Sequence, residues 1–414
     1  MYDLHLTPEQ LEFRETVRDF VESEVKPAAV NPKRLEPFEK PLLVNLLEKA
    51  AQMGLRTLAL SEDAGGAGAD GLTACIVLEE LGAGDVDVAA VLAHTSALGR
   101  ILFDRMMTTG QRKRFLPDFV KDDRYHLAYA GRDPGAGLGW SYHRPLADGG
   151  TVPTAVKQGN DWVINGALAF VANATIAKLF AVEARTDSKK TGADGLAMLL
   201  VPRDAPGLTV REPLRAVGEA IRWHHGAGAG MAFKDCRVPL DHVLGDGAQG
   251  AGALAAELAR SAPQRAAINL GLGRAAYEAA VDYAKLRRQG GRSIIEHPAI
   301  GTKLADCAIR LELARNVIWK AAWTQDHSEA VADRSVSGLP LEVIARVYTA
   351  EAVNEVALLA AECFGAMGVM RDMPLQKYVH DSMVFRHAED SDGAAKLAVA
   401  EAVAGYQRPA ADAA

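Results

Sequence analysis

The sequence predicts an α+β protein of three parts: an N-terminal helical domain, a central antiparallel β-domain and a C-terminal helical bundle. Three observations carry this. Apolar residues recur at helical spacing through roughly the first 120 residues. From Arg124 the pattern changes to short apolar or alternating runs rich in β-formers and broken by Gly, Pro and Asp. From about Ala251 the helical spacing returns. A chain of 414 residues is long enough for two or three such substructures around a shared core. The order helix, sheet, helix does not match an alternating βαβ dinucleotide fold.

Taken in order, the chain opens on a capped helix. Thr7 can accept from a free backbone amide, Pro8 is preset for the first helical position, and Gln10 can reach back to the cap. Leu11, Phe13, Val17, Phe20 and Val21 supply its apolar side. Further helices are expected around Leu42 to Met53, Leu72 to Leu81, Val88 to Phe103 and Gln111 to Phe119. The expected strands are Tyr125 to Ala130, Trp162 to Asn165, Lys178 to Ala184, Leu196 to Pro202, Leu208 to Arg211 and Met231 to Phe233. In the last part, Leu304, Cys307, Leu311, Ala314 and Ile318 alternate spacings of three and four, the seam of a bundle helix. Asp326 to Pro340 reads as a polar loop, Leu341 to Phe364 and Gly393 to Tyr406 as helices, and Arg408 to Ala414 as a frayed tail. The domain boundaries expected on this basis are 1–124, 125–245 and 246–414.

Composition narrows the function classes. Hydrophobic residues at 49% and charged residues at 24% are ordinary for a globular chain and exclude bulk disorder. A formal net charge of -7 provides no basic face for a nucleic-acid backbone or an anionic membrane, so neither partner is expected. Cys75, Cys236, Cys307 and Cys363 are far apart and form no CxxC pair, which suggests neither a zinc site nor a disulfide framework. The N-terminus has no basic segment leading into an apolar run, and no apolar stretch reaches the roughly 18 residues of a membrane span. The expectation is a soluble, cytoplasmic protein.

Two glycine patterns resemble nucleotide loops. Residues Gly66 to Gly71 spell GxGxxG and Gly271 to Ala276 spell GxGxxA. Neither follows a strand, so a turn and a close helix-packing site are the favoured readings. No GxxxxGK[ST] or GxSxG signature is present. His224 and His225 are adjacent, with no carboxylate or Cys at ligand spacing, and a surface or loop position is expected for them. There remains Asp133-Pro134-Gly135-Ala136-Gly137, where consecutive small residues let backbone amides approach a flat or anionic ligand.

Taken together, the motifs resemble the acyl-CoA dehydrogenase family over nearly the whole chain. Leu6 to Gln10 with Val25-Lys26-Pro27 is similar to the family's opening helix, and Gly54-Leu55 through Ser61 to Gly68 to its LGL…PEEYGGAG signature. Glu79-Glu80-Leu81 and Gln111 to Pro117 follow in order. Ala128 to Gly137 resembles AYxxTEPGAGSD, Val163 to Gly166 the INGxKxWITN segment, and Cys236 to Pro239 with Leu244-Gly245 the VRVPxxxxLG segment. Arg287 and Gly291 match RxxFG, Phe364-Gly365 with Gly368 match FGGxG, and Met370-Arg371-Asp372 match YMRD.

The resemblance implies N-terminal helices, a β-barrel-like middle domain and a C-terminal four-helix bundle, with FAD between the last two. It implies oxidation of an acyl-CoA thioester to the 2,3-enoyl-CoA, a Glu removing the α-proton while hydride passes to flavin N5. Laying IYEGTSE on Phe385 to Asp392 puts Glu389 in the place of that base. From the residues alone, a solvated carboxylate at a helix start is the competing account of Glu389.

Flavin contacts implied by position are Tyr129, Gly131, Arg132, Gly137, Leu138, Phe170, Val171, Ala172, Glu362, Gly365, Ser391 and Asp392, with Arg287 reaching the neighbouring subunit's pyrophosphate. Arg132, Leu138 and Ala172 replace hydroxyl-bearing family residues, Asp390 adds a carboxylate beside Glu389, and Gly290 replaces the family Phe. Ala262 stands where the family often has a substrate-contacting Arg, so Arg260 or Arg265, with Leu138, is expected at the substrate.

The implied partners are an acyl-CoA that is branched, cyclic or polar, an electron-transferring flavoprotein as acceptor, and further copies of the chain in a homodimer or homotetramer. Two alternatives stay open: a flavin-dependent oxygenase or oxidase of the same fold, and a half-site subunit paired with a related chain.

Overall fold

The computed structural model describes residues 5–30, 42–131, 152–187, 189, 195–211, 224–245, 248–370, 372–387 and 392–406. The expected capping box opens α1 (Pro8–Phe20): Gln10 N donates to Thr7 Oγ1 at 3.2 Å, and Thr7 N to Gln10 Oε1 at 3.0 Å. A π-helical turn, Val21–Val25, carries the helix into α2 (Lys26–Ala29). Then come α3 (Val44–Gln52), α4 (Gly71–Gly84), α5 (Val86–Gly99) and α6 (Thr109–Lys121).

The segments Val86–Met106 and Leu341–Val369 have the length and composition to cross a membrane, each with mean hydropathy 1.4. They lie 83% and 50% buried within the fold, which accounts for their apolar character as core helices.

The middle region is one seven-stranded sheet ordered β1-β4-β2-β3-β7-β6, with β5 also on β4. Its strands are β1 (His126–Ala130), β2 (Thr154–Gln158), β3 (Asp161–Val171), β4 (Ala177–Arg185), β5 (Leu196–Pro202), β6 (Leu208–Val210) and β7 (Ala229–Pro239). Pairing is antiparallel except where β1 runs parallel to β4 and β2 meets β4 at one parallel position. The β2–β3 hairpin lies between β1 and β4 in sequence, a connection long enough to reverse direction and bring β4 in parallel.

Beyond its hydrogen-bonded order the sheet curls until β1 also packs on β3. Both faces of its centre are covered. Leu179 and Ala181 of β4 join a core with Leu98, Phe103 and Phe119 of the helical region, while Phe180 and Val182 face a second core with Ile164, Met231 and Cys236. Two covered faces explain why Lys178 to Ala184 reads as a nearly continuous apolar run.

The C-terminal part comprises α7 (Ala248–Ala259), α8 (Ala262–Leu286), a hairpin of β8 (Arg288–Gln289) and β9 (Arg292–Ser293), α9 (Pro298–Asp326), α10 (Glu329–Ala332), α11 (Leu341–Phe364), α12 (Leu375–His387) and α13 (Asp392–Ala404). Helices α8, α9, α11 and α12 form the bundle. The seam foreseen at Leu304, Cys307, Leu311, Ala314 and Ile318 is buried. Short α10 lies within the expected loop; α12 and β2 were not anticipated.

Neither glycine pattern is a nucleotide loop. A Cβ on Gly66 would sit 2.2 Å from Leu60 O, so the first pattern folds a turn back onto backbone. A Cβ on Gly271 of α8 would lie 2.0 Å from Glu79 O, and one on Gly82 of α4 would lie 2.2 Å from Ile268 O. These glycines let α4 and α8 approach backbone to backbone and lock the N-terminal helices to the bundle. Gly271→Ala is expected to destabilise the fold by about 1–3 kcal/mol through overpacking. An unchanged urea midpoint for that variant is the result that would exclude a tight crossing.

Candidate active site

The site residues lie on two structural walls. In the β-domain, Tyr129 lies near the end of β1 and Gly131 just beyond it, while Phe170 and Val171 end β3 and Ala172 leads into Asn173. Asn173, buried and left-handed at φ 61, ties the end of β3 to β1 near its start. Its Nδ2 donates to Leu127 O of β1 at 3.3 Å, to Val91 O of α5 at 3.1 Å and to Thr95 Oγ1 at 3.2 Å. One side chain therefore fixes the β3 terminus against both β1 and α5. Sequence reasoning passed over it, although an Asn closing a strand is itself a signal for the left-handed region.

The surface there combines aromatic and bare backbone. Tyr129 Oη donates to Glu183 Oε2 at 3.0 Å, and a Cβ on Gly131 would lie 2.4 Å from the Tyr129 ring, leaving no room for a side chain. Phe170 packs against His224 with ring centroids 4.8 Å apart, and a Cβ on Gly228 would meet Phe170 at 2.1 Å. A half-buried aromatic beside backbone stripped of side chains fits a flat, hydrogen-bonding ring system such as a flavin. Arg132, Gly137, Leu138, Glu389 and Ser391 lie outside the described residues, as does the side chain of Asp392.

The bundle supplies the second wall. Arg287 follows α8 with its side chain exposed, at the base of the β8–β9 hairpin. Gly290 and Gly291 form the tip at φ 60 and 83, both positive as a type I′ turn requires. That conformation gives a physical reason for glycine where the related motif has Phe. Glu362 pairs with Lys303 at the surface and raises the Lys303 pKa through that hydrogen bond. Gly365 closes α11 at φ 57, ψ -134, a region open to glycine.

Arg260 and Arg265 line one cavity of about 800 Å³ between the α7–α8 elbow, the end of α9 and the start of α11. Ala256, Ala259 and Ala262 give it small walls, and Arg346 and Glu342 are also at its lining. The two alternatives for a substrate-side arginine are thus both present.

Unanticipated α12 ends at His387, two residues before Glu389 in the sequence. Lys377, deeply buried, holds Asp381 at 2.7 Å within the helix and Asp85 at 3.4 Å on the cap of α5. Burial opposes its charge, yet Asp381 and Asp85 outweigh this and raise its pKa above the usual lysine value. Asn354 of α11 donates to Ser382 Oγ at 3.1 Å and accepts from Arg386 Nη1 at 2.8 Å.

His225 lies in a loop, one of its two expected settings, but is buried there rather than at the surface. It packs on Phe385 with centroids 4.2 Å apart, and lies 3.2 Å from Asp381 O through Nε2 and 3.5 Å from Asp87 Oδ1 through Nδ1. Packing against α5 and α12 buries it while the segment itself remains a loop. No cluster of three or more His, Cys, Asp or Glu capable of holding a metal occurs among the described residues.

Family models described as the acyl-CoA dehydrogenase N-terminal, middle and C-terminal domains match residues 7–123, 146–227 and 248–404 in that order. The chain is 29% identical over 396 residues to a mitochondrial isobutyryl-CoA dehydrogenase of Dictyostelium discoideum, covering 95% of this chain and 89% of that protein. Among solved structures, butyryl-CoA dehydrogenase from Megasphaera elsdenii superposes with a TM-score of 0.81 at 25% identity, over 97% of this chain and 100% of that one. The prolyl acyl carrier protein oxidase AnaB shares the fold, with a TM-score of 0.80 at 22% identity, over 96% and 100% of the two chains.

Proposed function

This chain belongs to the acyl-CoA dehydrogenase family of FAD-dependent CH–CH oxidoreductases, and from that premise we propose that it oxidises an acyl-CoA thioester to the 2,3-enoyl-CoA. The bound flavin supplies the acceptor for the β-hydrogen, which leaves as hydride. Glu389 removes the α-proton, and the electron pair of that C–H bond becomes the second bond between Cα and Cβ.

A thioester α-proton is far too weakly acidic for a solvated carboxylate. The site must therefore donate hydrogen bonds to the developing enolate oxygen, and the backbone amide of Glu389 is one candidate donor. Poor solvation of Glu389 would strengthen it as a base.

The observation that carries the reading is that Asn173 holds β3 against β1 and α5 beside Phe170 and Gly131, an aromatic and a backbone position with no room for a side chain that support a flavin there. Arg260 and Arg265 at one cavity support a CoA thioester as the ligand. The exposed Arg287 at the hairpin base supports a role across a subunit contact, hence a homodimer or homotetramer. An electron-transferring flavoprotein is the proposed acceptor. Four free, buried cysteines support a reducing, cytoplasmic setting.

Anaerobic titration of the FAD-loaded protein with CoA thioesters tests the proposal. Loss of the yellow flavin absorbance with formation of enoyl-CoA is expected. Absence of bleaching with every thioester would remove the proposed reaction, and rapid reoxidation by oxygen with hydroxylated product would assign the oxygenase alternative.

A further inference from the structure

We infer that His225 is a positioning residue for the proton abstraction, setting α12, and through α12 the base Glu389, against the wall assigned to the flavin. The inference rests on the acyl-CoA reading above and adds a residue to the machinery of that same site.

Residues 224–228 run between that wall and α12. On one side His224 packs on Phe170 with ring centroids 4.8 Å apart, and Gly228 has no room for a side chain beside the same ring. On the other, the ring of His225 lies 4.2 Å from that of Phe385, in the last turn of α12. Two consecutive residues therefore touch the aromatic at the end of β3 and the end of α12. The start of α5 anchors them: Asp87 Oδ1 accepts from Gly226 N at 2.9 Å and lies 3.5 Å from His225 Nδ1.

The same end of α5 holds α12. Asp85 caps α5 by accepting from the amides of Asp87 and Val88, and its carboxylate lies 3.4 Å from Lys377 Nζ. Lys377, Asp381 and Phe385 are four residues apart and form one stripe along α12. Lys377 meets α5, the carbonyl of Asp381 lies 3.2 Å from His225 Nε2, and Phe385 meets the His225 ring. The next position at this spacing in the sequence is Glu389. Two peptide links of about 3.8 Å each bound the distance of its Cα from that of His387.

The hydrogen bond does what packing does not. Apolar contact is non-directional and lets a helix slide or turn against its neighbour. A carbonyl only accepts, so His225 Nε2 carries the hydrogen, and the bond to Asp381 O fixes the height and rotation of α12. His225 is 7% exposed and Asp381 fully buried, so water does not replace the bond. A misplacement of about 1 Å at a reacting group costs about a hundredfold in rate, which makes this register a kinetic matter.

The test compares His225→Asn with His225→Gln in FAD-loaded protein. The Asn amide occupies the place of ring Nδ1 and keeps the side facing Asp87 but falls short of Asp381 O. The Gln amide reaches the place of Nε2 and keeps that bond. The probes are the CoA thioester that bleaches the flavin fastest in the anaerobic titration above and its analogue with sulfur in place of the β-carbon. The analogue has no β-hydrogen to give up, so in deuterium oxide the base takes the α-proton and returns a deuteron with no oxidation. His225→Asn is expected to slow this exchange and single-turnover flavin reduction by about tenfold to hundredfold, while binding the analogue as tightly as the parent. His225→Gln should recover most of both rates.

Exchange at the parent rate in His225→Asn overturns the inference while leaving the acyl-CoA reading intact. Equal slowing in both variants also overturns it, since the bond to Asp381 O would then not be what acts. Weaker analogue binding that accounts for the whole loss, or loss of FAD from His225→Asn, assigns the residue to the pocket or the fold and overturns it likewise. Failure of every thioester to bleach the parent flavin defeats the acyl-CoA reading and this inference with it.

Discussion

Glu389→Gln is expected to retain FAD and bind acyl-CoA while lowering kcat by about 10²–10⁴-fold, the usual worth of a positioned general base. The substitution preserves size and removes the ability to accept a proton, so the loss isolates the chemical step. Glu389→Asp should recover part of the rate, because it keeps the carboxylate but withdraws it by one methylene. Flavin reduction in a single anaerobic turnover is the measurement, since it excludes product release. A variant reducing its flavin within tenfold of the parent rate would make Glu389 the helix-start carboxylate of the competing account and move the base elsewhere.

The second large effect concerns the buried charges that join four helices. Glu80 of α4 accepts from Arg18 of α1 at 2.7 Å and from Arg274 of α8 at 2.5 Å, with its own side chain 3% exposed. Glu79 accepts from Arg315 of α9 at 2.8 Å and lies 3.3 Å from Arg274. Glu80→Ala leaves the buried Arg274 with only Glu79 and the largely exposed Glu278, both at 3.3 Å, and about 3–5 kcal/mol of stability should be lost.

The reason is asymmetric. Removing one charge strands another in a poorly solvated place, whereas removing both together is far less damaging. The pair Glu80→Met and Arg274→Met should therefore cost less together than the sum of the two single changes, by more than the few tenths of a kcal/mol expected of independent sites. Urea unfolding of the four proteins measures this. A Glu80→Ala loss below about 1 kcal/mol, the worth of an exposed pair, would show that water reaches the network.

Elements with a clean period were legible before any coordinates. The Leu304 to Ile318 seam is buried as its spacing required, and Leu341 to Phe364 is helical over the span its pattern marked. Thr7, Pro8 and Gln10 cap α1 through local bonds within one turn. β2 escaped because only Ala155 of its five residues is buried, so Thr154 to Gln158 carries little apolar signal. α12 escaped for a different reason. Its buried face includes Lys377, Asp381 and Ser382, whose burial is offset by the Lys377–Asp381 pair within the helix and by Asp85 and Asn354 outside it, and a search for apolar spacing does not register a charged core.

The candidate site divides along the same line. Order and spacing of motifs placed Tyr129, Gly131, Phe170, Ala172 and Arg287 in a flavoprotein family, because each motif is a local string. Asn173 and His225 acquire meaning only from neighbours distant in the chain: Leu127 and Val91 for the first, and Asp87 and Asp381 for the second.

Periodicity, capping and turn chemistry act over a few residues and are written directly in the chain; they settled the helix, sheet, helix order, while the ordered motifs carried the family resemblance. Burial of a polar atom depends on which segments fold against it. Tertiary structure alone therefore decided that Glu79 and Glu80 are core charges and that two glycines weld α4 to α8.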